Sequence, residues 1–390
     1  VYIRGTEDSR GIGMLFKAGD RQDAYAQLGH GGLNARSGTG DGANTYGKNG
    51  DIDVEVSGDV AFVAGTFTKA NSTWTEDGRL YAMIGHGGYN ADPSTTDNAN
   101  FTATGANPGA PTGTYEAGVG RWGYFGDITL VSTGGDISFM AGSNIPVADR
   151  LDFDGQPLGI SDPLGILTSH GDGAGRIHWA QAGHGGYHTG GNHQGEITIS
   201  AAGSVHVVGG MMTADNDATR LHYAQIGHGA SNAPGHIDSP IKVHALGGDL
   251  VVVGGEALTN TGQIGHGGTH TAAQTGDLQG DISIIAGNNL LLNSGNNAYL
   301  TANSNNWGKI GHGDVRNNAS GIRGGDIHVS VGQGMRMGRA VLGHVDYRLT
   351  PGYFTGFATG ETFIAVGRKN PRSNGTGKLT TTSASVISSV

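Results

Sequence analysis

Arg220-Leu221-His222-Tyr223-Ala224-Gln225-Ile226-Gly227-His228-Gly229 is one copy of a unit that recurs along the whole chain. The other centres are Leu28-Gly29-His30, Ile84-Gly85-His86, Ala182-Gly183-His184, Ile264-Gly265-His266, Ile310-Gly311-His312 and Leu342-Gly343-His344. Four centres run on into Gly-Gly, whereas His228 is followed by Gly229-Ala230, His312 by Gly313-Asp314 and His344 by Val345. Seven copies of so specific a unit point to a repeat architecture and override any domain count taken from length.

A second element precedes each histidine motif. It reads Gly-Asp-Ile-x-Val, a short gap, then another alternating run ending in Ala-Gly or Gly-Gly, with copies at 50–65, 126–142, 195–210, 239–255, 280–295 and 325–338 and a partial one at 11–19. Apolar and polar residues alternate with period two, which is the strand pattern. Ile52, Val54 and Val56 share one face, with Val60, Phe62 and Ala64 sharing the corresponding face of the next run. The same inward sets recur down to Ile327, Val329 and Val331 with Met335 and Met337. Each repeat therefore holds three short strands.

The expected fold is all-β: a right-handed parallel β-solenoid (β-helix) of about seven or more three-stranded coils, one domain over 1–390. Equivalent strands stack about 4.8 Å apart. The motif histidines lie 56, 98, 44, 38, 46 and 32 residues apart, so the coils carry insertions of very different length. The two longest, 89–125 and 143–175, are expected to project as arms from the corners. Pro93, Pro108, Pro111, Pro157 and Pro163 fall in these two insertions and Pro234 in a shorter one, which fits a residue that cannot donate to an interior ladder. Neither end carries a polar cap pattern: Val1 starts in a strand-like run, and 360–367 and 377–390 alternate again. The rod is expected to continue, into further repeats or by stacking on another copy.

Composition narrows the function classes. Glycine accounts for 74 of 390 residues without a Gly-X-Y period, against a usual share of roughly 7%. The net charge of −10 and the 14% share of charged residues argue against nucleic acid and against an electrostatic hold on anionic lipid. Cysteine is absent, so disulfides and thiolate metal sites are out. No apolar run is long enough for a membrane-spanning helix.

The pattern 126–142, with its relatives at 50 and 280, resembles the filamentous-haemagglutinin-like bacterial adhesins, as do the low cysteine and the high Gly, Asn and Thr. The Asn-Pro-Asn-Gly signature of that family's secretion domain is missing here. The resemblance implies a secreted surface fibre built as a right-handed β-helix. The expected function is then an extracellular structural or adhesive fibre at a bacterial cell surface, not an enzyme. It would be a segment of a giant adhesin or a subunit stacking end to end, with itself or flanking repeats as partner and surface glycans as further candidates. The alternative is a carbohydrate-binding or carbohydrate-cleaving β-helix.

The candidate residues form columns. His30, His86, His184, His228, His266, His312 and His344 would stack as a structural ladder, each neutral imidazole bonded to a backbone carbonyl; metal binding is the rival reading. Protonating such a ladder would bring like charges together, so acid should loosen the rod. Tyr25, Tyr81, Trp179, Tyr223 and Trp307 each lie five residues before their histidine, on the face that also carries Gln27, Gln181, Gln225 and Gln263. If outward, they would offer a platform for sugar rings; the rival reading has the arms folding over them. Asp152 and Asp154 hint at calcium without the rest of a calcium loop. Asp51, Asp127, Asp281 and Asp326 sit at strand starts, where Asp serves turns. No cofactor is implied. The remaining histidines (178, 188, 193, 206, 222, 236, 244, 270 and 328) fall mostly on outward positions or loops, with no role assigned.

Overall fold

The structure is a computed structural model. It describes residues 1–33, 48–65, 79–89, 123–143, 146–152, 155–167, 177–187, 189, 191–210, 221–230, 235–255, 260–268, 277–295, 306–313, 323–338, 340–344, 379–382 and 388–389. The insertion over 89–125 lies outside these residues except at its two ends.

The chain folds as a parallel β-solenoid, and no α-helix occurs among the described residues. Three stacked sheets form its sides. The first has eight strands, from Tyr2–Gly5 through Ile52–Val56, Ile128–Ser132, Ile197–Ala201, Ile241–Ala245, Ile282–Ala286 and Ile327–Val331 to Leu379–Thr382. The second has eight, from Ile12–Lys17 and Asp59–Val63 to Met335–Met337 and Ser388–Ser389. The third, which leads into the histidine motif, has seven, from Tyr25–Leu28 and Arg79–Ile84 to Ala340–Leu342. Coils are numbered 1 to 7 by their histidine. The spacing of strands gives a stack about 34 Å tall.

Register is kept because a one-residue slip would turn every inward side chain outward. Ile128 pairs with Ile197, Ile197 with Ile241, Ile241 with Ile282 and Ile282 with Ile327. The core is the stack of these inward columns, nearly all fully buried, including Phe62, Phe139, Ile84, Ile226 and Ile310. Phe16, Phe62 and Phe139 stack face to face with centroids 5.1 Å apart at each step.

Two features differ from the three-stranded expectation. A fourth, narrow side of five strands (Lys48–Asn49, Gly123–Phe125, Asn192–Gln194, Ile237–Asp238 and Leu278–Gln279) lies between the histidine motif and the next coil. The insertion 143–175 does not project where it is described. It lies flat on the outer face of the second sheet, because that face is apolar. Ala61, Val63, Met140, Val208, Val251, Val253 and Leu291 are buried there against Val147, Leu158, Ile160 and Leu167.

This strap leaves coil 3 and reaches coils 6 and 7. There Asp152 bridges to the Gly295 backbone and its fully buried carboxylate pairs with Arg336. It then returns to coil 1, where Lys17 Nζ donates to the Ile166 carbonyl at 3.4 Å. Arg336→Ala is expected to leave that carboxylate unpaired and to cost ~2 kcal/mol, less than a wholly buried pair because the guanidinium is partly exposed. Limited proteolysis should then cut within 155–167 first; an unchanged cleavage pattern would contradict the strap's anchoring there.

Candidate functional site: the glycine–histidine ladder

The seven motif imidazoles stack in one column. Successive ring centroids lie 4.9, 4.8, 4.8, 5.1, 4.7 and 4.6 Å apart from His30 to His344. The column stands at the corner where the third sheet ends, not in the apolar core. His184, His228, His266 and His312 are fully buried, whereas His30, at the first rung, is exposed.

The motif glycine explains the geometry. On both sides of it the ladder runs normally, with Gly265 N–H donating to the Ile226 carbonyl and Gly267 N–H to the His228 carbonyl. The Gly–His peptide itself is turned out of the ladder. Its N–H donates to a ring: His30 to His86 Nδ1 at 3.0 Å, His86 to His184 at 3.1 Å, His184 to His228 at 2.9 Å and His228 to His266 at 3.0 Å, continuing to His312 and His344. Its carbonyl receives a glutamine amide. Gln27 donates to the Gly85 carbonyl, Gln181 to Gly227 and Gln225 to Gly265, at 2.9–3.0 Å. Turning the peptide requires glycine: Gly265 sits at φ +150°, and a Cβ there would come within 1.9 Å of the Gly311 carbonyl oxygen.

With Nδ1 occupied as an acceptor, the ring proton sits on Nε2. Each Nε2–H donates to a backbone carbonyl that opens its own coil. These are Gly50 for His86, Gly126 for His184 and Gly195 for His228, at 2.7 Å. Ser239 serves His266 at 2.7 Å, Gly280 serves His312 at 2.8 Å and Gly325 serves His344 at 3.0 Å. Every imidazole from His86 to His344 thus closes its own coil with one nitrogen and joins the preceding coil with the other. The bond accepted at Nδ1 needs the neutral ring, whereas Nε2–H would donate in either state. Burial, the largest cause, pushes His86, His266 and His344 down from 6.5 to about 4. It holds His184, His228 and His312 well below 6.5.

The glutamines, to which the sequence reading gave no bonding role, are thus half of the motif. Their constant place three residues before His30, His184, His228 and His266 is the signal that could have found them. Coil 6 puts the buried Lys309 at this position.

Most of the aromatic column, the possible sugar platform, is covered. Tyr81 and Trp179 are fully buried and Tyr223 and Trp307 nearly so, leaving only Tyr25 exposed. Tyr25, Tyr81, Trp179 and Tyr223 stack on one another at 4.9, 4.2 and 6.0 Å. Coil 5 puts Thr261 in this column, between Tyr223 and Trp307. Tyr81 and Trp179, covered on both faces by neighbouring rings, have no surface for a sugar.

The acidic candidates are used by the backbone. Asp51 Oδ1 accepts the Asp127 N–H, Asp127 that of Glu196, and Asp281 that of Asp326, at 2.8–3.0 Å. A parallel chain at the next turn runs from Asp59 to Asp136, Ser204, Asp249 and Asn289. Asp152 is bound to Arg336 and accepts the Gln156 N–H at 2.9 Å, so its carboxylate is already engaged; Asp154 lies outside the described residues. Among the described residues no group of three or more His, Cys, Asp or Glu could hold a metal ion.

Four of the other histidines are buried, and the expectation of outward positions holds only for His206: His178 and His222 share their strand face with the core residues Ala180 and Ala224, and His193 aligns with the buried Tyr124 and Ile237. His178 and His222 stack at 4.4 Å, His193 packs on Tyr124 at 5.2 Å, and His206 Nδ1 lies 2.9 Å from Ser138 Oγ. No described helix is long and apolar enough to cross a membrane. Compared with family models, with curated proteins and with solved structures, the chain has no match.

Proposed function

We propose that the chain is a stiff structural or adhesive module of an extracellular fibre. It is either a segment of a giant adhesin or a subunit that stacks end to end. One observation carries this reading: the repeated residues are spent on joining one coil to the next. The glycine shapes the turned peptide, the histidine and glutamine satisfy it, and the aspartates bond the following coil. Such a unit adds length and stiffness each time it recurs, since stability in a solenoid is a sum over neighbouring coils.

The function is mechanical and multivalent. The ladder supplies stiffness, and the outer faces and insertions supply many separate contacts with a surface or with other fibres. A carbohydrate-binding β-helix is the less favoured reading, because the aromatic column that suggested it is covered.

Cryo-electron microscopy of the native secreted material, prepared without chaotropes, tests the proposal. It should show rods or filaments much longer than the ~34 Å of one chain, with a strand repeat of about 4.8 Å along the axis. Discrete rods of one-chain length would overturn it.

A further inference from the structure

We infer that the histidine column is an acid-opened seam: protonation releases the third side of the solenoid while the first sheet keeps the coils stacked. This rests on the geometry of the ladder and is independent of the fibre reading.

A neutral imidazole has one vacant nitrogen to take a proton, and here that nitrogen is Nδ1. In six of the seven rungs Nδ1 already holds the backbone N–H of the preceding coil. A proton on Nδ1 sets N–H against N–H, so that bond must break. It also leaves a cation 4.6–5.1 Å from the next ring of the stack. The bond lost is the one through which the ring joins adjacent coils, leaving only the flanking glycine ladder bonds, such as Gly265 to Ile226 and Gly267 to His228, to hold that corner. The strands 128–132 and 282–286 of the first sheet contain no titratable side chain, so their ladder bonds stay intact.

The charged groups around the column act on its rings in both directions. Lys48 acts on His86, and Lys309 acts on His312 and His344, all holding the rings neutral. Asp281 and Asp326 act the other way on His344. His193 lies close to His184 and His228, but burial pushes its own value down to about 3, so it stays neutral through the relevant range.

The sign follows from linkage. The closed seam holds its rings below the value near 6.5 of a free imidazole, so its stability is full above about pH 6.5 and is lost as pH falls toward 4. Each ring released takes up one proton, so opening is favoured about 10-fold per pH unit below 6.5, or about 100-fold at pH 4.5 for one rung.

Hydrogen–deuterium exchange on the full chain between pH 7.5 and 4.5, corrected for intrinsic exchange, reads this directly. Peptides covering 226–229 and 264–267 should lose protection about 100-fold, with those covering 128–132 and 282–286 unchanged. Equal loss in both sets, or no loss down to pH 4.5, would overturn the seam. Lys309→Gln adds a second readout, since it puts glutamine at the glutamine position and removes a cation beside His312 and His344. Opening around 310–313 should then begin at lower pH, because the closed rings tolerate a proton more readily without the cation and the new amide can donate to the turned peptide as in the other coils; a midpoint that stays or moves up would also count against the proposal.

Discussion

Gly265→Ala should destabilise the protein by about 4 kcal/mol or more, in the range that marks a specific structural failure and not an ordinary surface change. Two costs add. The backbone stands at φ +150°, a region left essentially to glycine, and the new methyl carbon would fall 1.9 Å from the Gly311 carbonyl oxygen and 2.5 Å from its carbon. Neither atom can retreat, because Gly265 also bonds back to Ile226 and the neighbouring coil repeats the same contact one step further on. Gly134→Ala is the comparison: its methyl would meet only the Gly58 nitrogen, at 3.6 Å, and should change stability by less than about 1 kcal/mol. Chemical denaturation of both variants measures the difference. Equal, small effects would mean that the motif glycines are not held by coil stacking.

The second large effect is expected at His228. Replacing it with alanine removes the acceptor of the buried His184 N–H and the donor to the partly buried Gly195 carbonyl. Orphaning the buried group costs about 1–3 kcal/mol and the partly buried one less, and the lost ring adds a cavity, for a total near 3–4 kcal/mol. His30→Ala is the internal control. That ring is exposed, and the bond from the His30 N–H to His86 Nδ1 comes from the backbone and survives the change. Its loss should cost less than about 1 kcal/mol. Comparable losses at His30 and His228 would contradict a ladder whose rungs work through their two ring nitrogens.

Much of this fold is written in local patterns. Alternation placed Ile52, Val54 and Val56 inward, the Gly-Asp-Ile units set the register, and the recurrence of Gly-His set the coil count. The histidine column could be drawn from the repeat alone, because in-register stacking turns equal positions into neighbours. What the pattern could not give was anything depending on segments far apart in sequence. The outer face of the second sheet reads in sequence as ordinary strand exterior, yet Val147, Leu158, Ile160 and Leu167 lie on Val63, Met140, Val208 and Val253 there. The aromatics were placed on the correct face, but facing outward from a sheet is not the same as facing solvent: Tyr81 and Trp179 point away from the core and are still fully buried. The glutamines were legible as a column and not as partners of the glycine carbonyls, since that role depends on a peptide rotated out of the ladder. The narrow fourth side was missed because runs such as Lys48–Asn49 and Ile237–Asp238 are too short to show a period.

The central claim is that the turned Gly–His peptide fixes each imidazole as a neutral, Nε2-protonated link between coils. Nitrogen-15 spectra of histidine-labelled protein at pH 7.5 test it most directly, because protonated and bare ring nitrogens differ widely in shift. The six rings from His86 to His344 should each show a protonated Nε2 and a bare, hydrogen-bonded Nδ1, with the Nδ1 coupled across the bond to the backbone amide of the preceding motif histidine. Rings protonated at Nδ1, charged, or averaging between tautomers would contradict the ladder.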